Sequence, residues 1–382
     1  MAESVSAQSL VELRQRTSVK WRQYPSDVLP LPVAEMDFPI ARPIADELRN
    51  LIGRSDTGYL GPYPELFEAF SEFADWLWTW RPDPSQMRIA TDVGVGVVEV
   101  LRTLINSGDR VVINAPVYDN MWRWVNEVKA ELVNVPLREA GMTYELDLNA
   151  LEDAYSSGAR VHILCHPHNP VGTIFTKADL QKIAELAHKY GVIVISDEIH
   201  APLTYEKGAF HPFLSVSESA RAVGIVVTSA SKSFNIAGLK CALVITDSPA
   251  LREKINAMPI SVAFRASLFG AAAATVAFRD CRDWLVGALD SLAANRILIG
   301  NLINSLLPSI GYRAPDFGYL AWLDLSALNL GDDPSKTILE RGRLALNAGT
   351  MYSPAHPQFA RLNFGTSPEI ITEAFHRIAR SL

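Results

Sequence analysis

The sequence predicts an α/β protein: a mostly parallel sheet covered by helices on both faces, with a smaller unit contributed by the chain ends. Three observations predict it. Short apolar runs at 110–114, 160–165, 192–196, 224–228 and 242–246 are rich in Val and Ile. Strands covered on both faces read as such near-continuous runs, because neither face meets water. Helical periodicities at 97–105 and 177–190 lie between these runs, and strands alternating with helices give βαβ units. The third observation is length, since 382 residues exceed the roughly 250–300 at which one core stops growing.

In chain order, residues 1–50 give an N-terminal arm and a helix at 43–52 that opens on Pro43, a residue pre-set for the first helical turn. Residues 51–283 hold the large domain. Its longest apolar run, 266–278 between Arg265 and Arg279, is rich in Ala and Gly. A bilayer needs roughly 20 apolar residues, so the run reads as a buried, closely packed helix. Residues 284–382 begin with a long helix to 307 and continue with shorter patterns. Both ends are expected to join in one smaller α+β domain.

Composition narrows the function. Hydrophobic residues at 48% and charged residues at 20% fit a soluble enzyme. A net charge of −7 disfavours a nucleic-acid partner. The polar N-terminal stretch has no apolar core of a signal peptide, and no membrane partner is expected. Three cysteines without CxxC spacing suggest no disulfide framework and a cytoplasmic location.

Chemistry-bearing residues cluster where strands end, the usual place for ligand contacts in α/β sheets. One loop holds Cys165-His166-Pro167-His168-Asn169-Pro170-Val171-Gly172, the next Ser196-Asp197-Glu198-Ile199-His200, and the third Ser229-Ala230-Ser231-Lys232-Ser233-Phe234-Asn235. They are roughly thirty residues apart, the length of a βαβ unit. Asp92-Val93-Gly94-Val95-Gly96 precedes the helical pattern at 97–105, so the Val93 and Gly94 amides suit an anion. As a dinucleotide fingerprint this stretch fails, because Glu99 stands where the third glycine belongs. Cys165, His166 and His168 lack a fourth ligand at metal spacing, so no metal is expected. Trp76, Trp78, Trp80, Trp122 and Trp124 read as core or subunit interface rather than a substrate entrance.

The ordered loops closely resemble the fold type I pyridoxal 5′-phosphate enzymes of the class I/II aminotransferase superfamily. The resemblance is to the cystathionine β-lyase branch (MalY/PatB-type C–S lyases) in particular. Ser18-Val19-Lys20-Trp21, the stretch from Leu31 to Phe38, Thr57-Gly58-Tyr59, Ala115-Pro116-Val117-Tyr118 and Ile236-Ala237-Gly238-Leu239-Lys240 resemble that branch too. The resemblance implies that Lys232 is the Schiff-base lysine and base, and that Asp197 pairs with the pyridine nitrogen. It implies that Asn169 bonds the cofactor's O3′, that Tyr118 stacks on the ring and that His200 tunes it less directly. Val93, Gly94, Ser229 and Lys240 would serve the phosphate. Arg361, in Ala360-Arg361-Leu362-Asn363-Phe364-Gly365, would grip the substrate α-carboxylate, with the Ala34 backbone and Asn169 beside it. Tyr59 resembles a tyrosine that reaches the neighbouring subunit's phosphate, which implies a homodimer. Glu35 stands where the family more often has aspartate, and Pro32 where it has tryptophan; both touch the substrate mouth.

The expected reaction is β-elimination from L-cystathionine or another L-cysteine S-conjugate, giving thiol, pyruvate and ammonia. An aminotransferase with the same residues is the alternative. A non-catalytic regulator with this fold would be expected to lack Lys232 or Asp197, and both are present.

Overall fold

The computed structural model describes residues 5–382; residues 1–4 of the polar N-terminal stretch lie outside the described residues. The strands are β1 (Leu29–Pro30), β2 (Met87–Ala90), β3 (Arg110–Ile113), β4 (Glu131–Asn134), β5 (Arg138–Ala140), β6 (Thr143–Glu145), β7 (Ala159–Cys165) and β8 (Ile193–Asp197). They continue with β9 (Gly224–Thr228), β10 (Ala242–Ile245), β11 (Gly311–Tyr312), β12 (Leu320–Asp324), β13 (Leu344–Ala345), β14 (Asn347–Ala348) and β15 (Phe359–Asn363).

The main sheet has the order β2-β10-β9-β8-β7-β3-β4. Strands β4, β3, β7, β8 and β9 run parallel, and β10 is antiparallel to both β9 and β2. All five expected runs are strands, shifted by a residue or so. Strand β8 runs on through Asp197, which places that carboxylate on the strand rather than after it.

The helix expected at 97–105 is Val93–Leu104 and begins four residues earlier. Asp92 caps it, its Oδ1 accepting the Val95 amide at 2.9 Å. The glycines that suggested a loop serve packing instead: a Cβ on Gly96 would stand 3.2 Å from Val227 and 3.4 Å from Val244. The apolar run near 266–278 is the helix Leu268–Asp280, buried from Gly270 to Phe278. Its Gly270 admits a close crossing, since a Cβ there would lie 2.2 Å from the Leu239 carbonyl oxygen.

A second sheet, β11-β12-β15-β14, is antiparallel. The N-terminal arm joins the C-terminal part where β1 pairs in parallel with β13. Among the described residues, the helix Arg282–Leu306 is the one long and apolar enough to cross a membrane. Its buried residues, including Trp284, Leu285, Ala288, Leu292, Asn295, Ile299 and Ile303, recur at helical spacing along one side. The helix contacts Pro368–Ala379, the arrangement of a helix covering a core.

Candidate active site

Because β7, β8 and β9 are parallel neighbours, their C-terminal ends open along one sheet edge. Asp197, at the end of β8, is buried, and its Oδ1 accepts the Ile199 amide at 3.2 Å. Burial pushes its carboxyl up to about 7, against the opposing pull of the Ile199 amide and the Lys232 ammonium. Lys232 follows the end of β9 and donates from Nζ to the Ala34 carbonyl at 2.7 Å. Burial and the Arg361 guanidinium push its amine down to about 8, while Glu35 and Asp197 act the other way. A lysine so placed is available as a neutral nucleophile near neutral pH.

Arg361 arrives from β15 in the second sheet and is buried. Its Nη1 donates to Asn169 Oδ1 at 3.1 Å and its Nη2 to the Pro32 carbonyl at 2.9 Å. Its guanidinium lies 5.0 Å from the centre of the Tyr352 ring. The remaining Nε is buried without a partner. Asn169 is thus drawn to the arginine, and its backbone amide points at the Cys165 sulfur, 3.5 Å away.

Tyr118 sets its ring edge-on to Trp124, with centroids 5.9 Å apart, and its hydroxyl accepts the Asn120 side-chain amide. Burial, helped by Asp119, pushes that phenol up to about 12, so it stays protonated. His200 is buried near Phe317 and Tyr319, and its Nδ1 has no partner. Burial, then the charges of Lys232 and Arg361, push it down to about 3 and keep it neutral.

At the other end, Val93 and Gly94 hold the first two positions of the helix Val93–Leu104, where amides lack intrahelical acceptors. Gly94 faces Trp124, and a Cβ on it would stand 3.2 Å from the indole. Lys240 is exposed and pairs at 2.9 Å with Asp92 Oδ2, beside those amides. Ser229 follows the end of β9. Its hydroxyl donates to the Cys241 carbonyl at 2.6 Å and accepts the Ser231 amide at 3.1 Å, so its one hydrogen braces the loop. Tyr59 is not brought to these residues; it is 87% exposed, with its ring 6.2 Å from Phe264.

Other expectations resolve simply. His166 stacks on Phe210 at 4.7 Å, and His168 Nε2 meets the Pro116 carbonyl at 2.9 Å. No metal-holding group of His, Cys, Asp or Glu exists among the described residues. Trp80 and Trp124 are buried, whereas Trp76 is exposed.

Sequence reasoning missed several residues that build the site. Tyr319 donates to the Ala34 carbonyl at 3.1 Å, sharing it with Lys232. Asn235, at φ 57°, donates to the Met36 and Phe38 carbonyls, both at 2.9 Å, tying the lysine loop to the N-terminal arm. Lys20 and Asp37 form a fully buried ion pair at 2.8 Å. An asparagine in a Phe-Asn turn signals tolerance of positive φ, but nothing local names its partners. Tyr352, under Arg361, carries no signal at all.

A basic lysine softened by burial, a buried carboxylate on the adjacent strand and an arginine across from both define an enzyme site for an amino-acid substrate. The pattern of the family Aminotransferase class I and II matches residues 27–378, and the chain belongs to that family. It is 40% identical over 402 residues to a Mycobacterium tuberculosis protein carrying the provisional name cystathionine beta-lyase, covering 98% of this chain and 97% of the other. It is 32% identical over 375 residues to a Corynebacterium glutamicum cystathionine beta-lyase, covering 98% and 99%. A Corynebacterium diphtheriae structure, provisionally named a PLP-dependent beta-cystathionase, superposes with a TM-score of 0.94 at 29% identity over 99% of each chain.

Proposed function

We propose that the protein is a pyridoxal-phosphate-dependent carbon–sulfur β-lyase acting on L-cystathionine or related S-conjugates of L-cysteine. The observation that carries this is that Lys232, whose amine is pushed down to about 8, and Asp197, a buried carboxylate with no cation bonded to it among the described residues, stand at the ends of neighbouring strands. The relatives named cystathionine beta-lyase favour elimination over transamination.

The residues fit the cofactor. Asp197 sits buried with one backbone hydrogen bond, as a carboxylate awaiting a ring N–H⁺ would. The Val93 and Gly94 amides open a helix, ready for a phosphate. When bound, pyridoxal phosphate supplies an aldehyde for amines and a ring that withdraws electrons from the substrate's Cα. Lys232 would hold its aldehyde carbon, Asp197 its ring nitrogen, Tyr118 its ring face, and Asn169 its O3′. Lys240 belongs to the phosphate end through Asp92.

The chain's own residues then do the following. Arg361 binds the substrate α-carboxylate in a fork of two hydrogen bonds and fixes which Cα bond faces the ring. Its unpartnered Nε is a donor held in reserve for that task. Lys232, once displaced by the substrate amine, takes the Cα proton. The Cβ–S bond breaks as the electron pair left on Cα becomes a Cα–Cβ double bond, the sulfur leaves as a thiol with the proton that Lys232 has taken, and water hydrolyses the three-carbon remainder to pyruvate and ammonia. His200, kept neutral, adds no positive charge that would compete with the ring for Asp197.

The test is to supply L-cystathionine without a keto acid. Catalytic pyruvate and free thiol are expected. One equivalent of pyridoxamine phosphate with no pyruvate would overturn the reading in favour of transamination.

We also infer a homodimer in which Tyr59 serves the neighbouring site, supported by its exposure beside exposed Phe264. Mixing Tyr59→Ala with Lys232→Ala chains would restore part of the activity in the mixed dimer; a monomer by light scattering overturns the idea. A cytoplasmic location is part of the same proposal, supported by a sequence whose three cysteines show no CxxC spacing; recovery in a secreted fraction would contradict it.

A further inference from the structure

The segment from Pro32 to Glu35 runs between the two groups that anchor the substrate. The Pro32 carbonyl accepts from Arg361 at 2.9 Å, and the Ala34 carbonyl accepts from Lys232 at 2.7 Å. A substrate with its carboxylate on Arg361 and its amine replacing Lys232 therefore lies along this segment. Glu35 is the next residue, half-buried, and the one acidic side chain in the stretch.

Its backbone is held on several sides. Lys20 Nζ donates to the Glu35 carbonyl at 3.2 Å and Asn363 Nδ2 to the same oxygen at 2.7 Å. The Glu35 amide closes a tight turn onto the Val33 carbonyl at 2.9 Å. Met36, next in the chain, is gripped by Asn235 through both its amide, at 3.1 Å, and its carbonyl, at 2.9 Å. The side chain is held as well: Ser18 Oγ donates to Oε1 at 2.6 Å, and no cation is paired with the carboxylate among the described residues. Its charge nevertheless reaches the reacting end, where it favours the protonated forms of Lys232 and Tyr319.

We infer that Glu35 is a specificity-determining residue that selects S-conjugates of L-cysteine by the charge of the group beyond sulfur, favouring a cation and rejecting an anion. This rests on the lyase reading. A carboxylate with a fixed backbone and one oxygen tied to Ser18 loses little freedom on meeting an ammonium, so more of the attraction reaches the substrate. Glu35 is only half-buried, so water screens its charge and the discrimination is moderate.

The test uses three conjugates of nearly equal length: S-(2-aminoethyl)-, S-propyl- and S-(2-carboxyethyl)-L-cysteine. In the wild-type enzyme kcat/KM is expected to fall from the first to the third, by about fivefold per step. Glu35→Gln is expected to collapse the ratio of the first to the third toward one. That ratio does not depend on the fraction of folded enzyme. A binding readout without turnover uses analogues with methylene in place of sulfur: L-lysine should compete more tightly than 2-aminoheptanedioate, and Glu35→Gln should erase the difference. An anionic conjugate turned over as well as the cationic one by the wild type overturns the inference, as does a Glu35→Gln enzyme that keeps the wild-type order. Pyruvate from L-cystathionine but from none of the three would overturn this inference alone, whereas pyruvate from neither cystathionine nor the three would overturn the lyase reading with it.

Discussion

The two ends of the site are built on opposite plans. The arginine end is closed: Arg361 is buried, and Asn169, Pro32 and Tyr352 surround it. The end proposed for the phosphate is open: Lys240 and Asp92 form an exposed pair beside the Val93 and Gly94 amides at the start of the helix Val93–Leu104. The first is set by groups far apart in sequence that cannot move without leaving a buried charge unpaired. The second relies on backbone amides, which any helix offers, and on side chains that water screens. Substitutions should therefore cost much more at the closed end, with the lysine between the two as the extreme case.

Lys232→Ala should give the largest effect, lowering pyruvate release by at least about 1000-fold, read in a coupled pyruvate assay with the sulfur substrate in excess. The next effect concerns stability of the cofactor-free protein. Asp197 and Glu198 are pushed by burial up to about 7 and about 8. Their stabilising contribution is therefore whole below about pH 4 and is lost as pH rises through those values. His162, His166 and His200 are pushed down to about 3 and His168 to about 4, all chiefly by burial. The unfolded chain takes up those protons below about 6.5, so stability falls again as pH drops. The urea midpoint should peak near pH 6.5, and Asp197→Asn should flatten the alkaline fall, by about 1 kcal/mol. An unchanged alkaline limb would show that Asp197 titrates normally.

Arg361→Lys comes third. Losing the fork should raise KM about 10- to 100-fold with a smaller change in kcat, measured by steady-state kinetics. Lys240→Ala should be mildest, weakening cofactor binding no more than about fivefold by absorbance titration, because the pair it breaks is exposed. If Lys240→Ala cost more than Arg361→Lys, the contrast between the ends would be reversed.

The legible parts of the sequence are those whose signal is local. The strand runs, the loops holding Asn169, Asp197 and Lys232, and the Arg361 strand could be read because each pairs an apolar stretch with the polar residues that follow it. The start of the helix at Val93 was misread because its glycines suggest a loop, while their use against Val227 and Trp124 is visible only across the sheet. The bond from Ser229 to the Cys241 carbonyl was illegible for a similar reason, since that carbonyl lies on the approach to another strand. Asn235, Tyr319, Tyr352 and the Lys20–Asp37 pair were invisible, because each acts through a partner brought near only by the finished fold.

The pairing of β1 with β13 and the bonds from Arg361 to Pro32 and Asn169 carry a consequence for synthesis. A ribosome delivers residue 361 long after residue 32. In that interval all seven strands of the main sheet and the lysine loop emerge, while the groove that grips an amino acid still lacks its arginine. The growing polypeptide thus has a coenzyme cradle before it has a substrate clamp.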